Sequence, residues 1–202
     1  MEIKLSQVGP LATNCYMVFD DTACIIVDPG YDADTILKML DGRKPDAIVI
    51  THGHMDHIGA LPDLVDATGA PIVAYSGEVN RILDPEMNPD PAYFGYLPVK
   101  KVDVQLEDGQ DFTVGDLTFK VLHTPGHTAG SMCLYSSDYG VLLSGDTLFF
   151  GAHGRTDFPG GDQEAMNKSM ERLSKLPPET QVFPGHDRPT TIGAESAWMA
   201  RL

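Results

Sequence analysis

Between Thr51 and His57 the chain reads Thr-His-Gly-His-Met-Asp-His. Three imidazoles and one carboxylate, His52, His54, Asp56 and His57, are thereby packed into one short loop. Imidazole nitrogens and carboxylate oxygens are the ordinary ligands of zinc and its first-row neighbours. On a turn that follows a strand, His52 and His54 point to one side while Asp56 and His57 swing to a second position. One loop can therefore supply two adjacent metal positions. A polar, histidine-rich turn without metal is the plain alternative. It would be preferred for a single histidine, but this spacing after the apolar run Ala47–Ile50 argues against it.

Three later segments have the same layout, a ligand-type side chain beside glycine at the end of an apolar run. His123-Thr-Pro-Gly-His127 follows 119–122, Ser144-Gly-Asp146 follows 141–143, and Pro184-Gly-His186 follows 182–183. Glycine lets the chain turn sharply there without steric cost. If the four ends converge, His127 completes a three-imidazole site with His52 and His54. Asp56, His57 and His186 form the second site, and Asp146 bridges the two. Asp56 and Asp146 are then the carboxylates expected to carry catalysis. Two ions about 3.5–4 Å apart can activate a water between them and polarise a carbonyl or phosphoryl oxygen. Zinc is the expected metal, and the same ligands suit iron or manganese. His123 is expected to support the ligand turn rather than bind metal. His153 receives no role, and Asp28 either braces the metal loop or simply forms a turn.

The elements that must hold these residues read as two successive halves. Period-2 alternation marks a strand at 2–8, and apolar runs mark strands at 16–19, 24–27, 47–50 and 71–75. Helices are predicted over about 32–41, 60–67 and 77–83. The second half repeats the plan with strands at 102–106, 112–114, 117–122, 132–135, 141–143 and 182–183, and helices at 163–176 and 193–201. Two strand-rich halves flanked by helices predict two facing mixed sheets with helices outside, an α/β fold in four layers, αβ/βα. No linker divides residues 1–202, so one domain is expected. Residues 84–98 carry four prolines together with Tyr93, Phe94 and Tyr96. This segment is either a substrate-lining loop or one packed on the body or on a second subunit, which leaves a homo-oligomer open.

Composition narrows the function classes. A net charge of −15 argues against nucleic acid or anionic membrane as a partner. No apolar run is long enough to span a membrane and no secretory signal is evident, so a cytoplasmic protein is expected. The three cysteines, Cys15, Cys24 and Cys133, lie in apolar settings without ligand spacing and read as buried thiols.

The series Thr-His-Gly-His-Met-Asp-His, His-Thr-Pro-Gly-His-Thr, Ser-Gly-Asp-Thr-Leu-Phe and Phe-Pro-Gly-His resembles the metallo-β-lactamase-fold hydrolases. Gly154-Arg-Thr-Asp-Phe-Pro-Gly-Gly161 and Pro189-Thr-Thr-Ile-Gly193 are similar to the short, glyoxalase II-like (hydroxyacylglutathione hydrolase-like) group within it. The resemblance implies the same division of ligands, with Asp146 bridging. It also implies a small-molecule thioester, such as S-lactoylglutathione, as substrate. Only 16 residues follow His186, fewer than glyoxalase II uses to hold glutathione, so a weaker grip on glutathione is expected. Arg155 is the candidate contact for an anionic part of the substrate, unless it merely pins its loop to Asp157. The aromatic residues Tyr93, Phe94 and Tyr96 are candidates for the remaining contact. The Gly-Arg-Thr-Asp-Phe stretch also resembles iron-dependent persulfide dioxygenases of this superfamily. They would need only one early histidine, His127 and Asp146. A lactonase or other ester hydrolase is the third reading.

Overall fold

The computed structural model describes residues 1–87 and 99–202. Cys24–Val27 (β3) and Ala47–Ile50 (β4) are buried at every position, as strands lying between two other layers must be. With Glu2–Val8 (β1), Thr13–Phe19 (β2), Ile72–Tyr75 (β5) and Val104–Leu106 (β6) they form a six-stranded sheet in chain order. The first three strands pair antiparallel, and β3 through β6 pair parallel.

The second six-stranded sheet contains Asp111–Val114 (β7), Leu117–His123 (β8), Met132–Ser136 (β9), Val141–Gly145 (β10), Gln181–Pro184 (β13) and Thr190–Thr191 (β14). Their order is β14–β13–β10–β9–β8–β7. Leu148–Phe149 (β11) and Ala152–His153 (β12) make a separate small hairpin.

The period-2 pattern sorts side chains into layers. Tyr16, Val18, Ile25, Val27, Val49 and Val73 face inward and pack against Phe119, Val121, Leu134 and Leu143 of the other sheet. Their neighbours Met17, Ile26, Ile48 and Ile72 face outward. There they bury Ile36 of Ala33–Met39 (α1), Leu61 and Leu64 of Leu61–Thr68 (α3) and Ile82 of Val79–Leu83 (α4). On the far side Leu122, Leu142 and Val182 meet Met166, Met170 and Leu173 of Gln163–Leu173 (α5) and Ile192 and Met199 of Ile192–Met199 (α6). The expected four-layer sandwich of two mixed sheets is what the chain forms.

Direction matters more for the site than order. β9 is antiparallel to both β8 and β10, and β13 is parallel to β10. The C-terminal ends of β8, β10 and β13 therefore lie along one edge of their sheet. Backbone hydrogen bonds join the first sheet to that edge. Met132 N–H donates to Thr51 O (3.0 Å), and Asn14 N–H donates to Gly185 O (2.7 Å).

Several boundaries differ from expectation. β2 begins at Thr13 rather than Tyr16, because two buried polar residues find partners: Thr13 at Asp56 and Asn14 at the carbonyls of Pro184 and Asp187. α5 stops at Leu173, three residues short of the predicted end. The predicted helix at 77–83 divides into a 3-10 turn, Ser76–Glu78, and α4. The metal loop itself contains a short helix, Met55–Ile58 (α2). β11, β12 and β14, at two residues each, are too short for periodicity to reveal. Tyr93, Phe94 and Tyr96 lie outside the described residues.

Candidate metal centre

The site starts where β4 ends. Thr51 donates its N–H to Asp28 Oδ1 (2.8 Å) and its hydroxyl to Asp28 Oδ2 (2.7 Å). With its proton committed, the Thr51 oxygen is free to accept from His52 Nδ1 at 3.2 Å. His57 Nδ1 donates to the same Asp28 Oδ2 at 3.0 Å. His127 Nδ1 donates to the Arg155 carbonyl (2.7 Å), and His186 Nδ1 to the Leu11 carbonyl (3.2 Å). Carbonyl and carboxylate oxygens only accept, so these contacts fix the proton on Nδ1. The Nε2 atoms of these four imidazoles face the interior, that of His186 lying 3.0 Å from Asp56 Oδ2. Metal-binding histidines are oriented in the same way by a partner on the other ring nitrogen.

His54 is turned the other way. Its Nδ1 stands 2.8 Å from His127 Nε2. Two lone pairs at that distance repel unless a proton or a shared cation lies between them.

The donor atoms fall into the expected sets. One ligand atom from each of His52, His54 and His127 lies within 4.8 Å of the others, and the same holds for Asp56, His57 and His186. Asp146 lies between them, its Oδ1 3.3 Å from His57 Nε2 and its Oδ2 3.5 Å from His127 Nε2 and 3.6 Å from His186 Nε2. Asp28, His52 and His57 make a third, overlapping set. Asp28 already accepts three hydrogen bonds there and serves as a brace.

Whether these residues suit a metal can be judged from their unpaired atoms. Nε2 of His52, His54 and His57 and Oδ1 of Asp146 are buried without a hydrogen bond. A buried polar group without a partner costs about 1–3 kcal/mol. The atoms of His52, His57 and Asp146 face the two donor sets, and imidazole and carboxylate donors left unpaired there fit a cation well. The electrostatics agree. Burial, then neighbouring imidazoles, hold His52 well below its ordinary value and push His54 down to about 3, which keeps their lone pairs available. For His57 burial acts downward, but Asp146, Asp56 and Asp28 outweigh it and raise the ring well above its usual range. Burial opposes ionisation of Asp56 and Asp146 as well, yet nearby imidazoles lower both. Three carboxylates thus create a potential that calls for positive charge.

The β-strand ends approach so closely that glycine is needed. A Cβ at Gly185 would collide with Asp146 Oδ1 and stand 2.6 Å from His57 Cε1. Gly145 has φ +48 and packs on Thr51, where a side chain would be both strained and blocked.

Above the donors opens a cleft of about 610 Å³ walled by Leu11, Met55, Phe149 and Phe158, with His54, Asp56, His127, Asp146, Arg155, His186 and Asp187 also lining it. Arg155 is where the sequence placed it, but its guanidinium forms a two-point pair with Asp157 (both 2.7 Å) and lies 3.6 Å over the Phe158 ring. That is the loop-pinning role of the two considered. What Arg155 gives the site is its backbone carbonyl, which orients His127.

His123 lies apart from both donor sets, stacked on Tyr75 with Nε2 2.9 Å from the Ala129 carbonyl. That contact holds the ligand turn from outside, as expected. His153 pairs with the carbonyl of Gly154 and faces Trp198. Among the described residues the three cysteines are free and buried.

Sequence reasoning missed three supports. Thr13 donates to Asp56 Oδ2 (3.2 Å). Asn14 and Tyr16 hold the Pro184 carbonyl beside His186. Buried Glu78 accepts from Gly53 N–H (2.9 Å) and Gly130 N–H (3.0 Å), tying the His54 loop to the His127 loop. No local signal marks them, since each acts on residues distant in the chain.

A family model described as the metallo-beta-lactamase superfamily matches residues 8–186. The probable metallo-hydrolase YqgX of Bacillus subtilis is 35% identical over 96% of this chain and 94% of its own length. The hydroxyacylglutathione hydrolase GloC of Haemophilus influenzae is 33% identical over 96% of this chain and 95% of its own. Among solved structures, the B3 metallo-beta-lactamase BLEG-1 superposes with a TM-score of 0.91 at 37% identity, covering 97% of both chains. TTHA1623 in a di-iron-bound form gives 0.82 at 35% identity over 96% of both. With the family model spanning nearly the whole chain and both donor sets assembled where strand ends of the two sheets meet, this protein belongs to the metallo-beta-lactamase superfamily.

Proposed function

We propose that the protein is a binuclear metallohydrolase that cleaves thioesters. His52, His54 and His127 would hold one divalent ion, Asp56, His57 and His186 the other, and Asp146 would touch both. Bound there, divalent ions would supply an activated water and electrostatic stabilisation of negative charge at an attacked carbonyl. The remaining work falls to the chain. Asp28 and Thr51 keep His57 and His52 in the ligating tautomer. Thr13 steadies Asp56, and Phe149 and Phe158 shield the reacting centre from bulk water.

One observation supports a thiolate leaving group. Outside the proposed ligands, the described titratable residues lining the cleft are Arg155 and Asp187. Arg155 does not release its proton, and Asp187 is exposed. Neither is a buried acid built to protonate a departing amine or alkoxide. A thiolate leaves without that help. The likeness to GloC supports the same reading.

The test is metal analysis with activity. Protein saturated with zinc, iron or manganese should approach two ions per chain and hydrolyse S-lactoylglutathione, with other acyl-thiols also accepted. A firm ceiling of one ion, with oxygen uptake on glutathione persulfide and no thioester turnover, would replace this reading with the dioxygenase. The likeness to ETHE1 from Myxococcus xanthus, at 29% identity and TM-score 0.80, keeps that assay necessary. Turnover of a lactone or a β-lactam alone would move the substrate class instead.

A further inference from the structure

The segment after His186 does more than deliver a ligand. Asp187 has φ +67, and its carbonyl accepts from Asn14 Nδ2 at 2.8 Å, so the chain turns sharply and is held there. The next residue, Arg188, lays its guanidinium 3.8 Å over the centroid of Phe150. Phe150 is 43% exposed, large for an aromatic ring, and follows Phe149, whose ring lies 6.1 Å from that of His186 in the cleft wall. Arg188 and Phe150 therefore form a stacked pair on the rim, each adjacent in sequence to a residue lining the cleft.

Charge distinguishes this rim. The chain carries −15 overall, so an anionic substrate meets a repulsive surface. Screening limits each exposed charge to roughly 8–10 Å, so cations at the mouth decide the matter locally. Arg155 is already matched by Asp157, and Arg81 is buried beside Glu78 and donates to the carbonyls of Met87 and Pro159. Arg188 pairs with no carboxylate among the described residues. Its stacking on Phe150 restrains the planar fork without using its N–H donors, the arrangement that suits two-point recognition of carboxylate or phosphate.

We infer that Arg188, stacked on Phe150, forms a subsite for an anionic group on the thiol half of the substrate. This rests on the thioester reading and adds to it the charge of the carrier and the residue that reads it. The carrier's anion is either a carboxylate, as in glutathione, or a phosphate, as in coenzyme A.

The experiment measures equilibrium binding to the metal-loaded full-length chain, by calorimetry, of three non-hydrolysable thioethers. S-methylglutathione presents carboxylates, S-methyl-coenzyme A presents phosphates, and S-methyl-N-acetylcysteamine is neutral. Arg188→Gln should weaken one or both anionic thioethers about tenfold relative to the neutral one, with Arg188→Lys in between. The wild-type preference for the anion should also shrink with added salt. Loss confined to S-methylglutathione identifies the carboxylate, and loss confined to S-methyl-coenzyme A the phosphate. An unchanged ratio in Arg188→Gln, a salt-independent preference, or no binding of either anionic thioether by the wild type would overturn the subsite. Because binding is read separately from turnover, absent thioesterase activity with an intact Arg188-dependent ratio would reject the hydrolase reading and leave the subsite standing.

Discussion

Asp28 is the residue on which the ligating geometry converges, because one carboxylate fixes Thr51, His57 and, through Thr51, His52. Asp28→Asn keeps the shape but replaces one acceptor oxygen with an NH₂ group, which only donates and so cannot accept from Thr51 or His57. The expected result is a loss of roughly 10–100-fold in metal affinity or activity, as for other residues that orient metal ligands, with fold and secondary structure retained. Competition against a chromophoric chelator measures it, and wild-type affinity would refute the bracing role. Asp146 makes a sharper comparison. Its carboxylate reaches both donor sets, whereas His186 belongs to one, so Asp146→Ala should retain less activity than His186→Ala. Equal residual rates in the two variants would count against a bridging carboxylate.

At the level of elements, the site depends on four strands ending in one place. Gly185 lies at the tightest approach, where the end of β13 meets Asp146 and His57, and its N–H donates to the Gly145 carbonyl at 2.8 Å. Gly185→Ala must displace the Asp146 carboxylate and the His57 ring, both of which are held in the donor cluster. Overpacking of this kind costs about 1–3 kcal/mol. We expect a lower melting temperature together with loss of the ion held by Asp56, His57 and His186. Full metal content at wild-type stability would show that the approach is looser than described. Farther from the site, Met170→Ala in α5 should cost about 2–5 kcal/mol in chemical denaturation. Its metal stoichiometry should be unchanged, since α5 supports the sheet from the far side.

For the whole molecule, the two donor sets differ in how strongly protons compete with metal. His52, His54 and His127 are all held below the ordinary imidazole range, burial being the largest cause in each. His57 and His186 are raised by carboxylates despite burial. A ligand must give up its proton to bind metal, so a raised pKa lets the proton compete up to higher pH and a lowered one removes that competition. Acidification from about pH 8 towards 5 should therefore release the ion at Asp56, His57 and His186 first and retain the one at His52, His54 and His127. Metal content measured across pH should fall from two to one before reaching zero. A single concerted loss, or a reversed order in variants lacking one set, would contradict the assignment.

Much of this organisation is legible in the chain itself, and the reasons are local. Continuous apolar runs such as 16–19 and 24–27 mark strands buried on both faces, between the helices and the opposite sheet. Ligand-type residues beside glycine at four strand ends show that metal chemistry is intended, because few other uses suit that spacing. The metal identity and the substrate were not legible, as His and Asp serve several ions and an apolar cleft leaves no periodic mark. Only tertiary structure could show that Asp28 orients two histidines, that Glu78 ties two ligand loops together, and that Arg155 serves the site through its carbonyl, which orients His127. Only tertiary structure, too, could bring Arg188 over Phe150 at the rim. Such contacts join residues tens of positions apart through common side chains whose local sequence is compatible with many partners. Strand direction and sheet packing select among them.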